Sequence, residues 1–245
     1  MAHELLVVIP AYNEEQCIES VLEEWTSELE RSKADYAILL LDDGSTDGTP
    51  SLLKRWQNQY GSGRVKVVSQ TNRGHGQTCL RGYRIACDEK IPWVFQIDSD
   101  GQCDPKYFAA VWAARQGNDV VYGYRAKRKD GLKRVLASVL VKAVVRAATG
   151  VDCIDANVPY RLMRTDQLRS LVDSIPADFD LANIALAVQI RRAGWRETSV
   201  PIVFRPRAGG EPSVPLARFA GKALQLFVQL LLLPPPVLRG IRGTK

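Results

Sequence analysis

Two aspartates one residue apart, Asp98 and Asp100 in "FQIDSDGQ", end an apolar run that reads as a strand, Val94 to Ile97. A carboxylate pair set against a core is costly unless something positive or hydrogen-bonding meets it. A divalent metal, a sugar hydroxyl or plain solvent would each do so. Three other apolar runs end in polar, turn-forming residues: "PAYNEE" (Pro10 to Glu15), "DDGSTDGT" (Asp42 to Thr49) and "NRGHGQT" (Asn72 to Thr78). Ser45, Thr46 and Asp47 suit a turn and a helix cap, with Gly44 and Gly48 supplying positive φ. The adjacent pair Asp42 and Asp43 exceeds what a turn needs. Asn13 suits an N-cap, Tyr12 a core aromatic, and His75 a loop donor or structural residue rather than a catalyst. The glycines around His75 also suit a close backbone approach to phosphate. No GxGxxG follows the first strand and no GxxxxGK[ST] occurs, so dinucleotide and P-loop readings lose ground.

The elements that must position these residues alternate. Strand-like runs fall at 5–9, 36–41, 65–69, 94–97 and 119–123, with helical segments at 14–31, 49–60, 76–90 and 105–116 between them. That spacing predicts βαβ units and a mainly parallel, Rossmann-like sheet with helices on both faces. "LLVVI" and "AILLLD" are continuous apolar runs, as expected of strands covered on both sides. In such sheets ligands sit outside the C-terminal strand ends, where all four polar segments fall. Past residue 125 a basic loop leads into an apolar helix with Lys133, Arg134, Lys142 and Arg146. Strands near 157–164 and 195–204, a helix at 181–193 and a helix around 216–233 follow, the last stopped by Pro234 to Pro236.

Composition narrows the class. The 245 residues are 46% hydrophobic and 24% charged, the ordinary balance of a folded domain, with a net charge of +6. That basic bias suits an anionic ligand or membrane surface; a nucleic-acid partner has nothing else behind it and is not expected. Five scattered cysteines without CxxC read as reduced thiols in a cytoplasmic protein, and two histidines make a His-based zinc site untenable. "MAHELLVVIP" reads as a first strand rather than a signal peptide, and no apolar stretch reaches spanning length.

"VVIPAYNEE", "LLDDGSTDGT", "NRGHGQ" and "IDSDGQ", in this order and spacing, resemble the family 2 inverting glycosyltransferases of the GT-A fold. The resemblance covers residues 4–125 most strongly. "VDCIDANVPYRLMR" and "VPIVFRPRAGGEPS" look like segments of the polyprenyl-phosphate sugar transferases, the dolichol-phosphate mannose synthase type. It implies a nucleotide-sugar-binding half at 1–125, an acceptor half at 126–215, and a C-terminal amphipathic helix and tail at 216–245. By the same resemblance Pro10, Tyr12, Asn13, Glu14, Asp42, Asp43, Asn72 and Gly76 line the nucleotide-sugar pocket. Asp98 contacts ribose or metal, Asp100 binds Mg²⁺ or Mn²⁺, and Gln102 assists.

Relatives of the polyprenyl type carry an acidic residue in the helix before the last strand, where this chain has "DFDLANIALAVQIRRAG" with Asn183. A phosphate acceptor, already ionised, needs no general base there. Arg125, Arg128, Arg134, Arg161 and Arg207 are then the candidates to hold phosphates, with Arg125 and Arg207 foremost. A sugar-hydroxyl acceptor would instead require Asp155, Asp178 or Asp180 as base. A noncatalytic nucleotide-binding module of the same fold is the third account, opposed by the intact DxD. The 216–233 helix, with the basic helix before it, suits an anionic membrane surface, which would place the protein peripherally on the inner face. The same helix also suits core packing or a dimer, so a homo-oligomer stays open.

Overall fold

The computed structural model describes residues 3–125, 131–153, 157–179, 181–206 and 219–236. Seven strands form one sheet: β1 (Leu5–Ala11), β2 (Tyr36–Asp42), β3 (Val65–Ser69), β4 (Trp93–Gln96), β5 (Val120–Arg125), β6 (Arg161–Arg164) and β7 (Glu197–Ile202). Their order is β3-β2-β1-β4-β6-β5-β7. Every pairing is parallel except those of β6, which runs antiparallel between β4 and β5. The C-terminal ends of β1, β2, β3, β4, β5 and β7 therefore share one edge, and Arg161 enters β6 at that edge.

Strand residues alternate between two apolar clusters. Leu5, Val7 and Ile9 of β1, with Ile38, Leu40 and Phe95, face α1 (Ile18–Arg31), α2 (Thr49–Tyr60) and α4 (Phe108–Ala113). Leu6, Val8, Leu39, Leu41 and Val94 face α3 (His75–Asp88), α6 (Leu168–Asp173) and α7 (Ala182–Arg192). Burial on both faces explains why β1 and β2 read as unbroken apolar runs. α3 lies so close that a Cβ on Gly82 would stand 2.4 Å from Val8 Cγ1.

Sequence expectation and structure differ in three places. α1 begins at Ile18, because residues 14–17 turn to stitch two loops together. The 105–116 helix is a 3₁₀ turn, Pro105–Tyr107, leading into a short α4. The short α6 was not anticipated. α5 (Gly131–Thr149) and α8 (Phe219–Leu231) pack side by side, and Leu226, Leu230 and Leu233 join the core cluster. Val139, Leu140, Leu224, Val228, Leu231 and Leu232 face outward.

Candidate active site

The polar strand ends meet at one edge and interlock. After β1, Asn13 adopts φ 55° and its Oδ1 accepts from Thr46 N at 2.8 Å, while Asn13 N donates to Ser45 Oγ at 3.0 Å. Glu14 N donates to Thr49 Oγ1 (2.8 Å), and Gly48 N donates to Glu15 Oε2 (2.6 Å). Ser45, Thr46, Asp47 and Thr49 thus join the loops after β1 and β2, the turn role their types suggest, while α2 is capped by Gly48 without a side-chain bond, and Gly48 has φ −70° rather than the positive φ expected of it. Asn13 is part of that joint rather than a helix cap. Tyr12 is no core aromatic: it is 47% exposed at the same edge. Pro10 and Glu14 are buried beside it.

Asp42 and Asp43 are both buried at the end of β2. Asp42 Oδ1 accepts from Ser45 N at 3.0 Å. Asp43 accepts from Gln70 Nε2 (2.6 Å), Arg73 N (2.9 Å) and Gly74 N (2.9 Å), which pins the β3–α3 loop against β2. Gly44 is required where these loops cross: its φ is +78°, and a Cβ would stand 2.9 Å from Asn72 N. Asn72 is exposed, and its Oδ1 accepts from Gly74 N at 3.2 Å; Gly76 lies in the first turn of α3.

Beyond β4, His75 Nε2 lies 2.9 Å from Asp98 Oδ1. Burial pushes the Asp98 carboxyl up to about 6, with His75 pulling the other way and Asp100 adding to the rise. The neighbouring Cys79, Asp98 and Asp43 side chains raise the His75 imidazole above its ordinary value, against the pull of burial. Asp100 is buried, and its Oδ1 accepts from Gln102 N at 3.1 Å. Gln102 tethers the exit of β7: its Nε2 donates to Arg205 O (3.3 Å), and its carbonyl accepts from Arg205 N (3.0 Å). Arg205 in turn pairs with Asp104 and Glu24. Arg125 ends β5 with its guanidinium 4.4 Å over the Phe204 ring, near enough to lower the Asp98 carboxyl.

Asp98, Asp100, Asp42, Asp43, Asn13, Tyr12 and Arg125 therefore share one edge. Arg161 is fully buried under α7, with Nη1 donating to Asn183 O at 3.1 Å. α7 is buried along its length and bears no acidic residue, and Asp178 is exposed before it. Arg128, Asp155, Asp180 and Arg207 lie outside the described residues, as does the side chain of Arg134. Sequence reasoning set His75 aside, yet it touches Asp98. The signal was present in the spacing of His75, Cys79 and Tyr83, which puts one stripe of α3 along β4. The donor set fits a hard divalent cation: two carboxylates, one destabilised by burial beside the other, suit Mg²⁺ or Mn²⁺ completed by phosphate oxygens. Among the described residues no cluster of three or more acidic, Cys or His ligands forms a full protein cage.

Comparisons with known proteins identify the fold and the family. Glucosyl-3-phosphoglycerate synthase from Mycobacterium tuberculosis, solved with Mn²⁺, uridine diphosphate and phosphoglyceric acid, shares the fold with a TM-score of 0.67 at 23% identity, over 96% of this chain and 80% of that one. The Glycosyl transferase family 2 model matches residues 6–161, and the chain belongs to that family. An undecaprenyl-phosphate 4-deoxy-4-formamido-L-arabinose transferase of Aeromonas hydrophila is 34% identical over 170 residues, 69% of this chain and 50% of the relative. A transferase of the same name from Pseudomonas fluorescens is 28% identical over 210 residues, 85% of this chain and 59% of the relative. The chain spans between half and three-fifths of these two relatives.

Proposed function

We propose that this chain transfers a sugar from a nucleoside-diphosphate sugar to a polyprenyl phosphate, with inversion and with help from a divalent cation. The observation that carries the reading is the Asp98–Asp100 strand end beside the interlocked loops of Tyr12, Asn13, Asp42 and Asp43. The names of the relatives support the lipid phosphate, and the Mn²⁺ and uridine diphosphate of the structural neighbour support the donor side. Tyr12 offers an exposed ring to the base, and Asp42 or Asp43 accepts from base or ribose. Asp98 and Asp100 would hold Mg²⁺ or Mn²⁺, which supplies charge neutralisation for the departing diphosphate. Arg125 completes the anion site by charge-assisted contacts, and Arg207 is the further candidate that the sequence offers. The lipid phosphate attacks the anomeric carbon opposite the leaving diphosphate. Being ionised at neutral pH it needs no base, which accords with the acid-free α7.

α5 and α8 supply the approach to the lipid. Among the described residues no helix is long and apolar enough to cross a membrane. The outward apolar residues of the pair accompany the exposed Lys142 and Arg146, the helix sequences also carry Lys133, Arg134 and Lys222, with Arg218 just before α8 in the sequence, and neither helix sequence holds an acidic residue. That combination suits lying on an anionic surface, each cation there contributing about 1 kcal/mol.

The test is a transfer assay with Mn²⁺, a panel of uridine-diphosphate sugars, and undecaprenyl phosphate in anionic liposomes against soluble sugar acceptors. Lipid-linked sugar by mass spectrometry is expected. Transfer only to soluble hydroxyls would overturn the lipid acceptor. No turnover of any nucleotide-sugar would overturn the transferase reading itself.

A further inference from the structure

Beneath Asp98 runs a polar chain that the proposed chemistry does not use. Gln96, Tyr83 and Asn183 are buried between the sheet, α3 and α7, among apolar neighbours such as Leu80, Val94 and Leu186. Gln96 Nε2 donates to Asp98 Oδ1 at 3.1 Å. Gln96 Oε1 accepts from Tyr83 Oη (2.8 Å) and Asn183 Nδ2 (3.4 Å). The backbone carbonyl of Asn183 accepts from Arg161 Nη1. Asp98 Oδ1 thus meets two side-chain donors, Gln96 from below and His75 from α3. With that oxygen engaged twice, the carboxylate plane is set, and among the described residues no hydrogen-bond donor meets Oδ2.

We infer that Gln96, Tyr83 and Asn183 are positioning residues that hold the Asp98 carboxylate in its ligand-ready orientation and tie it to α7. The inference rests on Asp98 belonging to the donor site. Burying three polar side chains in a core that Leu or Met would fill is costly, and the cost is offset only when every partner is in place. A purely structural packing role would not need the chain to end on a carboxylate at the ligand edge. The Asp98 carboxylate, an acceptor, fixes which way the Gln96 amide faces: Nε2 points at it, and Oε1 is turned to the Tyr83 hydroxyl, which also lies 3.3 Å from Asn183 Oδ1. Asn183 backs the same oxygen from α7, and Arg161 anchors that helix end.

The chain has only two histidines, so ring NMR reads the network directly, with His3 on a remote edge as internal control. Tyr83→Phe removes one hydroxyl; Gln96→Met keeps the shape and removes the donor to Asp98. Both variants should move the His75 ring resonances at fixed pH and leave those of His3 in place, with Gln96→Met the larger. Tyr83→Phe should raise the half-saturating Mn²⁺ concentration for uridine diphosphate binding about fivefold, the worth of one neutral hydrogen bond. Gln96→Met should raise it about tenfold or more, and neither should alter binding in excess EDTA. An unmoved His75 signal with an unmoved Mn²⁺ midpoint, alongside a lowered Tm, would make the chain merely structural and overturn the inference. If the wild type binds no Mn²⁺ and uridine diphosphate while the His75 signals still move, the donor-site reading fails and the coupling to Asp98 stands.

Discussion

The two edges of the sheet hold carboxylates on opposite terms. At the C-terminal edge Asp42 and Asp43 are met by backbone N–H groups and the Gln70 amide, and Asp98 by Gln96 and His75. At the N-terminal edge Asp119 is gripped by arginines: Arg196 donates from N (2.9 Å), Nε (3.1 Å) and Nη2 (3.1 Å), and Arg164 from Nη1 (3.2 Å). Arg164 also pairs with Asp166, and Arg169 with Asp88 and Asp173, around a cleft of about 820 Å³. Guanidinium forks close the charge of Asp119 inside the protein. Backbone, amide and imidazole donors orient the upper carboxylates. The protonation tendencies follow: the Asp98 carboxyl is pushed up, whereas at Asp119 burial is outweighed by the Arg196 and Arg164 bonds, which hold it down. Carboxylates stand at both edges; their partners set how each is held.

The strongest way to break this contrast is to exchange the outcomes of two alanine substitutions. Asp100→Ala should cost about a thousandfold or more in transfer while leaving the circular dichroism and Tm nearly unchanged. Asp119→Ala should do the reverse: about 1–3 kcal/mol of stability lost in urea unfolding, with turnover per folded molecule retained. An active Asp100→Ala enzyme would show that the upper carboxylates are not the reaction's.

A pH series separates the edges next. The Asp98 carboxyl, pushed up to about 6, takes a proton as pH falls through that value, so cation-assisted nucleotide binding should weaken there. Its stability term has the opposite sense. The native state binds that proton more readily than the unfolded chain, so Asp98 adds stability as pH falls from about 6 toward the usual carboxylate range. Asp119 is held low, so its stabilisation is complete above the ordinary carboxylate value and is lost only as pH falls through the lower folded value. Calorimetric titration of uridine diphosphate with Mn²⁺ from pH 8 to 5, beside thermal melts from pH 7 to 3, should show binding failing well before Asp119's contribution does.

The smallest effect refines the lower edge. The Arg169 pairs with Asp88 and Asp173 are exposed, so Arg169→Ala should cost only about 0–1 kcal/mol and less at high salt. A loss as large as that of Asp119→Ala would mean that the whole rim, not its half-buried aspartate, carries the stability.

Much of this could be read before any coordinates. Continuous apolar runs named β1 to β4, and polar residues after each run placed Asp43, Asp98 and Asp100 on one edge, because parallel strands align their C-terminal ends. The Asp98–Asp100 pair by itself left a metal, a sugar hydroxyl or solvent open, and the cation came from the resemblance of this segment to the family 2 glycosyltransferases. Tertiary structure decided the rest. Linear order does not show that β6 enters antiparallel between β4 and β5, and that insertion brings Arg161 under Asn183. Nor does it say that Gln102 faces Arg205, or that Tyr12 stands exposed where an aromatic after a strand would equally be core. His75 was ambiguous for the same reason. A histidine's role is set by what lies 3 Å away, and Asp98, 23 residues further along the chain, arrives there only when α3 packs on the sheet. Local sequence determined which segments fold and where their polar ends lie; only packing across distant segments decided which of those polar groups meet.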